Sequence, residues 1–235
     1  MKLSVVIPIY NEAGNVDTLL ERVLAAPLPG LEKEVLVVND ASTDDTRQRL
    51  KRWADRVRVI DHPRNRGKGA AVRTGLGEAT GELFLVQDAD LEYDPNDYAA
   101  LVGPVVRGHA DVAMGSRFLK EKPRFFTKDG DPFLTHYLGN LLVIGLTNGL
   151  YGFYATDYEA CYKVCKRSML LGLNLQSNRF DIDNEIICKL LRRGAQIVEV
   201  PVQYNPRSYK AGKKIRWHHG FAVIWAIIKW RFLPF

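Results

Sequence analysis

Cysteine is scarce in this 235-residue chain. The three present, Cys161, Cys165 and Cys188, are too few for a disulfide framework and fit a reducing compartment. They fall in segments that read as strand or helix, and no His or further Cys pair completes a metal set, so buried structural thiols are expected. The turn after the first apolar strand lacks a G-x-G-x-x-G fingerprint, which argues against NAD. Gly67-Lys68-Gly69 lacks the spacing of a P-loop. No signal peptide is expected, because Met1-Lys2 leads straight into a short apolar strand. From Phe133 to Thr156 there is no Asp, Glu, Lys or Arg, a length that suffices to cross hydrocarbon. Yet Asn140, Thr147, Asn148 and four glycines (Gly139, Gly145, Gly149, Gly152) interrupt it. The expected structure is therefore a helix from Leu134 to Leu146, broken at Asn148-Gly149, and not a span.

What is there suits one large domain. The chain is 46% hydrophobic, enough for a substantial core, and 33 Lys and Arg against 27 Asp and Glu give a net charge of +6, a balance that favours anionic partners. Leu3 to Ile9, Glu34 to Val38, Val57 to Ile60 and Leu83 to Val86 read as apolar strands. Between and after them, Asn15 to Leu24, a segment through Leu50 and Trp53, Gly67 to Gly77 and Pro95 to Val106 have helical spacing. Strands alternating with amphipathic helices predict an α/β fold, a mostly parallel sheet with helices on both faces. Ligands of such sheets bind beyond the carboxyl ends of the strands.

The strand ends carry the polar chemistry. They are followed in turn by Pro8-Ile9-Tyr10-Asn11-Glu12, by Asn39-Asp40-Ala41-Ser42, by His62-Pro63-Arg64-Asn65-Arg66-Gly67-Lys68-Gly69, and by Asp88-Ala89-Asp90 with Glu92 just beyond. Each segment alone reads as a helix cap or tight turn. Four at one rim point to a common site. In extended backbone, residues two apart face the same way, so Asp88 and Asp90 converge on one cation. Mg²⁺ or Mn²⁺ suits two carboxylates and a substrate's phosphates.

These segments, with Gly115-Ser116-Arg117 and Thr156-Asp157-Tyr158-Glu159, resemble the inverting family 2 glycosyltransferases of GT-A (Rossmann-like) fold. Within that family they resemble the polyprenyl-phosphate sugar synthases, such as the dolichyl-phosphate mannose synthases. The resemblance implies that Pro8, Tyr10, Asn11, Glu12, Asp40, Lys68, Asp88, Ala89 and Asp90 surround a nucleotide-sugar donor, with Asp88 and Asp90 binding its diphosphate through the metal. It implies a third metal contact at Glu92 and a catalytic-base or orienting role for Asp157, whose structural alternative is a cap or brace for the 156–165 segment. Arg117, Arg207 and Lys213 are the expected contacts to the acceptor's phosphate, Arg117 also counting among the catalytic residues. A processive polysaccharide synthase would show Q-x-x-R-W, which is missing. So is the Gly-rich N-terminal loop of a sugar nucleotidyltransferase.

The expected domain boundaries are 1–205 for the glycosyltransferase domain and 206–235 for a basic segment with an amphipathic, membrane-facing helix. The cations from Arg207 to Arg216 precede the wholly apolar Phe221 to Ile228, flanked or punctuated by Trp217, Trp225, Trp230, Lys229 and Arg231. That composition suits a helix at an anionic membrane interface; a packed core helix is its rival. The expected activity is transfer of a hexose, mannose from GDP-mannose first and glucose from UDP-glucose second, to a dolichyl or undecaprenyl phosphate at the cytoplasmic face of a membrane. An inactive lipid-binding scaffold and a transferase with a non-prenyl acceptor are the alternatives. No nucleic-acid partner is expected, since pI and one basic run are its whole support.

Overall fold

In a computed structural model describing residues 1–119, 134–207 and 219–235, the alternation forms one sheet. Its first half runs β1 (Lys2–Ile9), α1 (Val16–Ala25), β2 (Glu32–Asn39), α2 (Thr46–Leu50) with a following 3-10 turn at Lys51–Trp53, β3 (Arg58–Asp61), α3 (Lys68–Glu78) and β4 (Leu83–Val86). After a 3-10 turn at Pro95–Asp97 come α4 (Tyr98–Val106), β5 (Val112–Ser116), α5 (Leu134–Tyr151), β6 (Lys163–Lys166), α6 (Arg167–Leu171), α7 (Ile182–Arg192), β7 (Ile197–Pro201) and α8 (His219–Phe232). The order across the seven strands is β3-β2-β1-β4-β6-β5-β7, with β6 alone antiparallel to its neighbours.

The central strands are apolar on both faces because helices cover both: Val5, Val6 and Ile7 of β1 and all four residues of β4 are buried. Helix α1 turns Val16, Leu19, Leu20 and Val23 inward at helical spacing. The chain adds strands outward from β1 through β2 to β3 and then returns to β1's other side with β4. Strand order reverses there, and a crevice opens at the carboxyl ends of β1 and β4. All three cysteines are buried free thiols.

Helix α5 differs from expectation. It continues through Asn148 and Gly149 to Tyr151 and stops at Gly152, whose φ is +65°. The Asn148 side chain does not break the helix because it has a partner beyond it: its Oδ1 accepts from the Ala155 amide at 3.2 Å and the Tyr158 hydroxyl at 2.7 Å. An interior Gly costs only about 1 kcal/mol, and the left-handed residue at Gly152 supplies the stop. Helices α5, α7 and α8 share a second apolar cluster, in which Val223, Ala226, Ile227 and Trp230 of α8 are buried against Val143, Ile187 and Cys188. Phe221, Trp225 and Phe232 of α8 remain exposed, as do Leu138, Leu141 and Leu142 of α5. The C-terminal helix is thus core on one face and apolar at the surface on the other. Among the described residues no helix is long and apolar enough to cross a membrane.

Candidate active site

The crevice is a cleft of about 440 Å³ lined by all four strand-end segments, including Pro8, Tyr10, Glu12, Asp40, Lys68 and Asp88. Three of its turns have a non-glycine residue at positive φ: Asn11 (50°), Ala41 (57°) and Leu91 (61°). Such conformations persist only where the surroundings impose them. Here the surroundings are hydrogen bonds. The Asn11 side chain pairs with Thr43 through both its oxygen and its nitrogen, and the Glu12 amide donates to Thr46 Oγ1 at 2.9 Å.

Asp40 organises the third segment. Its carboxylate accepts from the Arg66 and Gly67 amides at 2.9 and 2.7 Å, while His62 Nδ1 lies 2.7 Å away. The turn opening α3 is therefore fixed from below. It is also crowded from above, since a Cβ on Gly67 or Gly69 would collide with the backbone carbonyls of Asn178 and Ser177. The Gly67 amide is taken by Asp40 and the Ala70 amide by the Asn178 carbonyl.

Lys68 Nζ lies 2.8 Å from Asp88 and 2.9 Å from Asp183 at the start of α7. Burial works against its charge, but Asp183 and Asp88 together hold the ammonium well above its usual range. Asp90 has less support. Burial, with the charges of Asp88 and Glu92 adding to it, pushes its carboxyl up to about 7, and Arg207 at 3.6 Å offsets only part of this. Two hard oxygen donors, one short of positive charge, fit a divalent cation. Beneath them Gln87 fixes the Asp88 backbone: its Nε2 donates to the Asp88 carbonyl and its Oε1 accepts from the Tyr98 and Tyr162 hydroxyls, each at 2.6 Å.

Two expected assignments meet a different geometry. Glu92 was expected as a third metal contact, but its carboxylate accepts from the Tyr204 hydroxyl at 2.9 Å and the Arg207 amide at 2.8 Å. It anchors the segment after β7, and among the described residues no set of three His, Cys, Asp or Glu converges as a metal site. Arg207 was expected at the acceptor. Its guanidinium instead lies in the same cleft as Asp88, 3.3 Å from Glu12 and close to Asp90.

Asp157 and Arg117 form a separate unit. Asp157 is 1% exposed, and its oxygens accept from Arg117 Nε, Nη2 and backbone amide at 2.7, 2.8 and 3.0 Å, and from the Glu159 amide at 3.1 Å. A carboxylate so occupied fixes the orientation of the arginine. The Arg117 guanidinium also stacks over Tyr204 at 5.1 Å. Lys213 lies outside the described residues.

The sequence gives no signal for Asp183, Arg179 and Phe180, and Arg66 and Glu159 stand in the motifs without an assigned role. Arg66, Arg179 and Phe180 line the cleft. Asp183 sits in the first turn of α7, a common place for an acidic residue. Glu159, partly buried and hydrogen-bonded to Asn184 Nδ2 at 2.6 Å, is pushed up to about 7 by burial.

The glycosyl transferase family 2 model matches residues 4–169. The chain is 31% identical over 216 residues to the dolichol-phosphate mannosyltransferase of Pyrococcus furiosus, covering 88% of this chain and 58% of that one. It is 30% identical to the dodecaprenyl-phosphate galacturonate synthase of Rhizobium johnstonii, covering 91% of this chain and 62% of that one. It thus spans about three fifths of the length of each of these two relatives. Among solved structures, glucosyl-3-phosphoglycerate synthase from Mycobacterium tuberculosis, complexed with Mn²⁺, UDP and phosphoglyceric acid, superposes with a TM-score of 0.72 at 20% identity, covering 99% of this chain and 79% of that one. The fold is GT-A.

Proposed function

Given that the chain belongs to glycosyl transferase family 2, we propose that it transfers one hexose from a nucleoside-diphosphate sugar to a polyprenyl phosphate, with inversion at the anomeric carbon. The observation carrying this reading is the pairing of Asp88 with a charge-starved Asp90 at the sheet's reversal point, facing Lys68 and Arg207. Asp88 and Asp90 would hold Mg²⁺ or Mn²⁺, which would supply neutralising charge at the donor diphosphate. Pro8, Tyr10, Glu12, Asp40 and Ala89 line the cleft as wall and floor for the nucleotide, and Asn11 holds the turn between Tyr10 and Glu12 through Thr43. Lys68 fixes the Asp88 carboxylate and adds charge at the leaving group, and Arg207, already beside Glu12 and Asp90, serves the donor side.

The acceptor needs little activation. A phosphate monoester is substantially dianionic near neutrality, its second pKa being about 6, so one of its oxygens is already a nucleophile. Arg117 orients that phosphate and Asp157 orients Arg117. The two lipid-linked relatives support a polyprenyl acceptor; one is named for mannose and the other for galacturonate. Mannose from GDP-mannose is our first choice of donor and glucose from UDP-glucose the second. The exposed apolar side chains of α5 and α8 support work at a membrane surface, with the cytoplasmic face as the proposed side.

The test is incubation of the purified protein with a panel of radiolabelled nucleotide sugars, Mn²⁺ or Mg²⁺, and a short-chain polyprenyl phosphate. The expected outcome is label moving into the organic phase from one donor, GDP-mannose first. Label appearing only in water-soluble products, or in none, would sink the polyprenyl acceptor.

A further inference from the structure

We propose that Arg179 is a donor-binding residue that contacts the diphosphate of the nucleotide sugar. This deepens the donor reading above and rests on it.

Four cationic side chains line the cleft: Arg66, Lys68, Arg179 and Arg207. Two are already committed. Lys68 is tied to Asp88 and Asp183, and Arg207 to Glu12 and Asp90. Among the described residues, Arg66 and Arg179 have no hydrogen-bond or ion-pair partner for their guanidinium groups. Arg66 stands beside Asp40, which takes its amide, at the end of the cleft assigned to the nucleoside. Arg179 lies over the turn that carries Lys68: the Cβ position of Gly67 is 3.5 Å from its Cγ. Gly67 stands between Asp40, which takes its amide, and Lys68, which holds Asp88, so Arg179 reaches the cleft beside the turn that leads to its phosphate end.

The loop presenting Arg179 is built to stay in place. Glu185 accepts the Gln176 and Ser177 amides at 2.9 and 2.6 Å, Ser177 Oγ bonds Asp181 at 2.7 Å, and Arg73 donates to the Leu175 carbonyl at 3.1 Å and to the Asn178 side chain. Gly67 and Gly69 let the loop's carbonyls close onto the α3 turn. A braced loop that ends in an exposed arginine on the cleft's lining, unpaired among the described residues, offers its guanidinium to an anion. The chemistry supplies one. As the acceptor oxygen bonds to the anomeric carbon, the carbon–oxygen bond to the donor breaks and its electron pair goes to the diphosphate, which leaves with an additional negative charge. The guanidinium fork of Arg179 meets that charge.

The experiment measures binding of UDP and GDP, and of UMP and GMP, by calorimetry in Mn²⁺ to the parent, Arg179→Ala and Arg179→Lys, with melting curves to confirm folding. Arg179→Ala is expected to weaken binding of the preferred diphosphate about tenfold, the worth of one charged hydrogen-bonding contact. It should leave monophosphate binding unchanged, and Lys should recover only part of the loss. Equal losses for mono- and diphosphate, or none, would overturn the assignment. A parent that binds neither diphosphate would instead remove the donor reading and the inference with it.

Discussion

The two halves of the sheet build one site in different ways. In β3-β2-β1-β4 every site residue lies in the segment after a strand: Glu12 after β1, Asp40 after β2, Lys68 at the start of α3 after β3, Asp88 and Asp90 after β4. In the second half, Asp183, Arg179 and Arg207 reach the cleft from a helix start and two loops, and Asp183 and Arg207 are held by partners distant in sequence. Glu92 takes the Arg207 amide 115 residues away, and Lys68 meets Asp183 at the same separation. In the first half the polar contacts join the ends of neighbouring parallel strands, 26 to 34 residues apart; in the second half they join segments more than a hundred residues apart.

If this contrast holds, the largest effect belongs to the metal pair. Asp90→Ala should lower transfer by about a thousandfold or more, the scale expected when charge stabilisation of a leaving group is lost, with the thermal midpoint equal to or above the parent's. The sign follows from the raised Asp90 pKa: a carboxylate that is disfavoured in the fold costs nothing when removed. Steady-state transfer and melting curves check both halves of that statement.

Next comes the clamp of the second half. Lys189 is fully buried, bonded to Glu185 at 2.6 Å and to the Leu173 and Asn174 carbonyls, with its ammonium 3.8 Å from the Trp230 ring. Lys189→Met would leave Glu185 without its cation and should cost about 3–5 kcal/mol in urea unfolding. Because Glu185 also holds the 176–177 amides, nucleotide binding should weaken even where the variant is fully folded. Unaltered affinity would mean that the second half does not position the cleft through this pair.

A smaller effect concerns Glu159, which faces Asp157, Asp183, Arg117 and Lys163. Its folded pKa of about 7 exceeds its ordinary value of 4.5, so between these pH values the folded state holds more protons than the unfolded state. Stability from this group therefore falls as pH rises through the window. Glu159→Gln should remove that slope and stabilise the protein at pH 8 by roughly 1–3 kcal/mol. A parallel pH dependence in parent and variant would assign the slope elsewhere.

Least costly to the fold are Trp225→Ala and Phe221→Ala. Both side chains are more than 60% exposed, so stability should change by less than about 0.5 kcal/mol, while sedimentation with phosphatidylglycerol vesicles should drop several-fold. Vesicle binding that persists would leave the outer face of α8 without a membrane role.

The same contrast explains what was legible. The strand-end segments could be read because parallel strands place local sequence at a common rim, and the polar residues after each strand stand out against apolar runs. Asp183 could not, since an acidic residue in a helix's first turn needs no other explanation. Arg207 was read with the basic run that follows it in sequence, whereas Glu12 and Asp90, far earlier in the chain, draw it into the donor cleft. Asn148-Gly149 has the composition of a helix stop; the buried Tyr158 hydroxyl and Ala155 amide that occupy Asn148 are contacts only the fold supplies.

The central claim is that Asp88 and Asp90 bridge to the donor's diphosphate through a divalent cation. Titrating Mn²⁺ into the protein by electron paramagnetic resonance, with and without GDP or UDP, tests it most directly. Tight Mn²⁺ binding should require both the diphosphate and Asp90, and disappear in Asp90→Ala. Nucleotide binding of equal strength in EDTA, or Mn²⁺ binding indifferent to both the nucleotide and the Asp90 substitution, would contradict it.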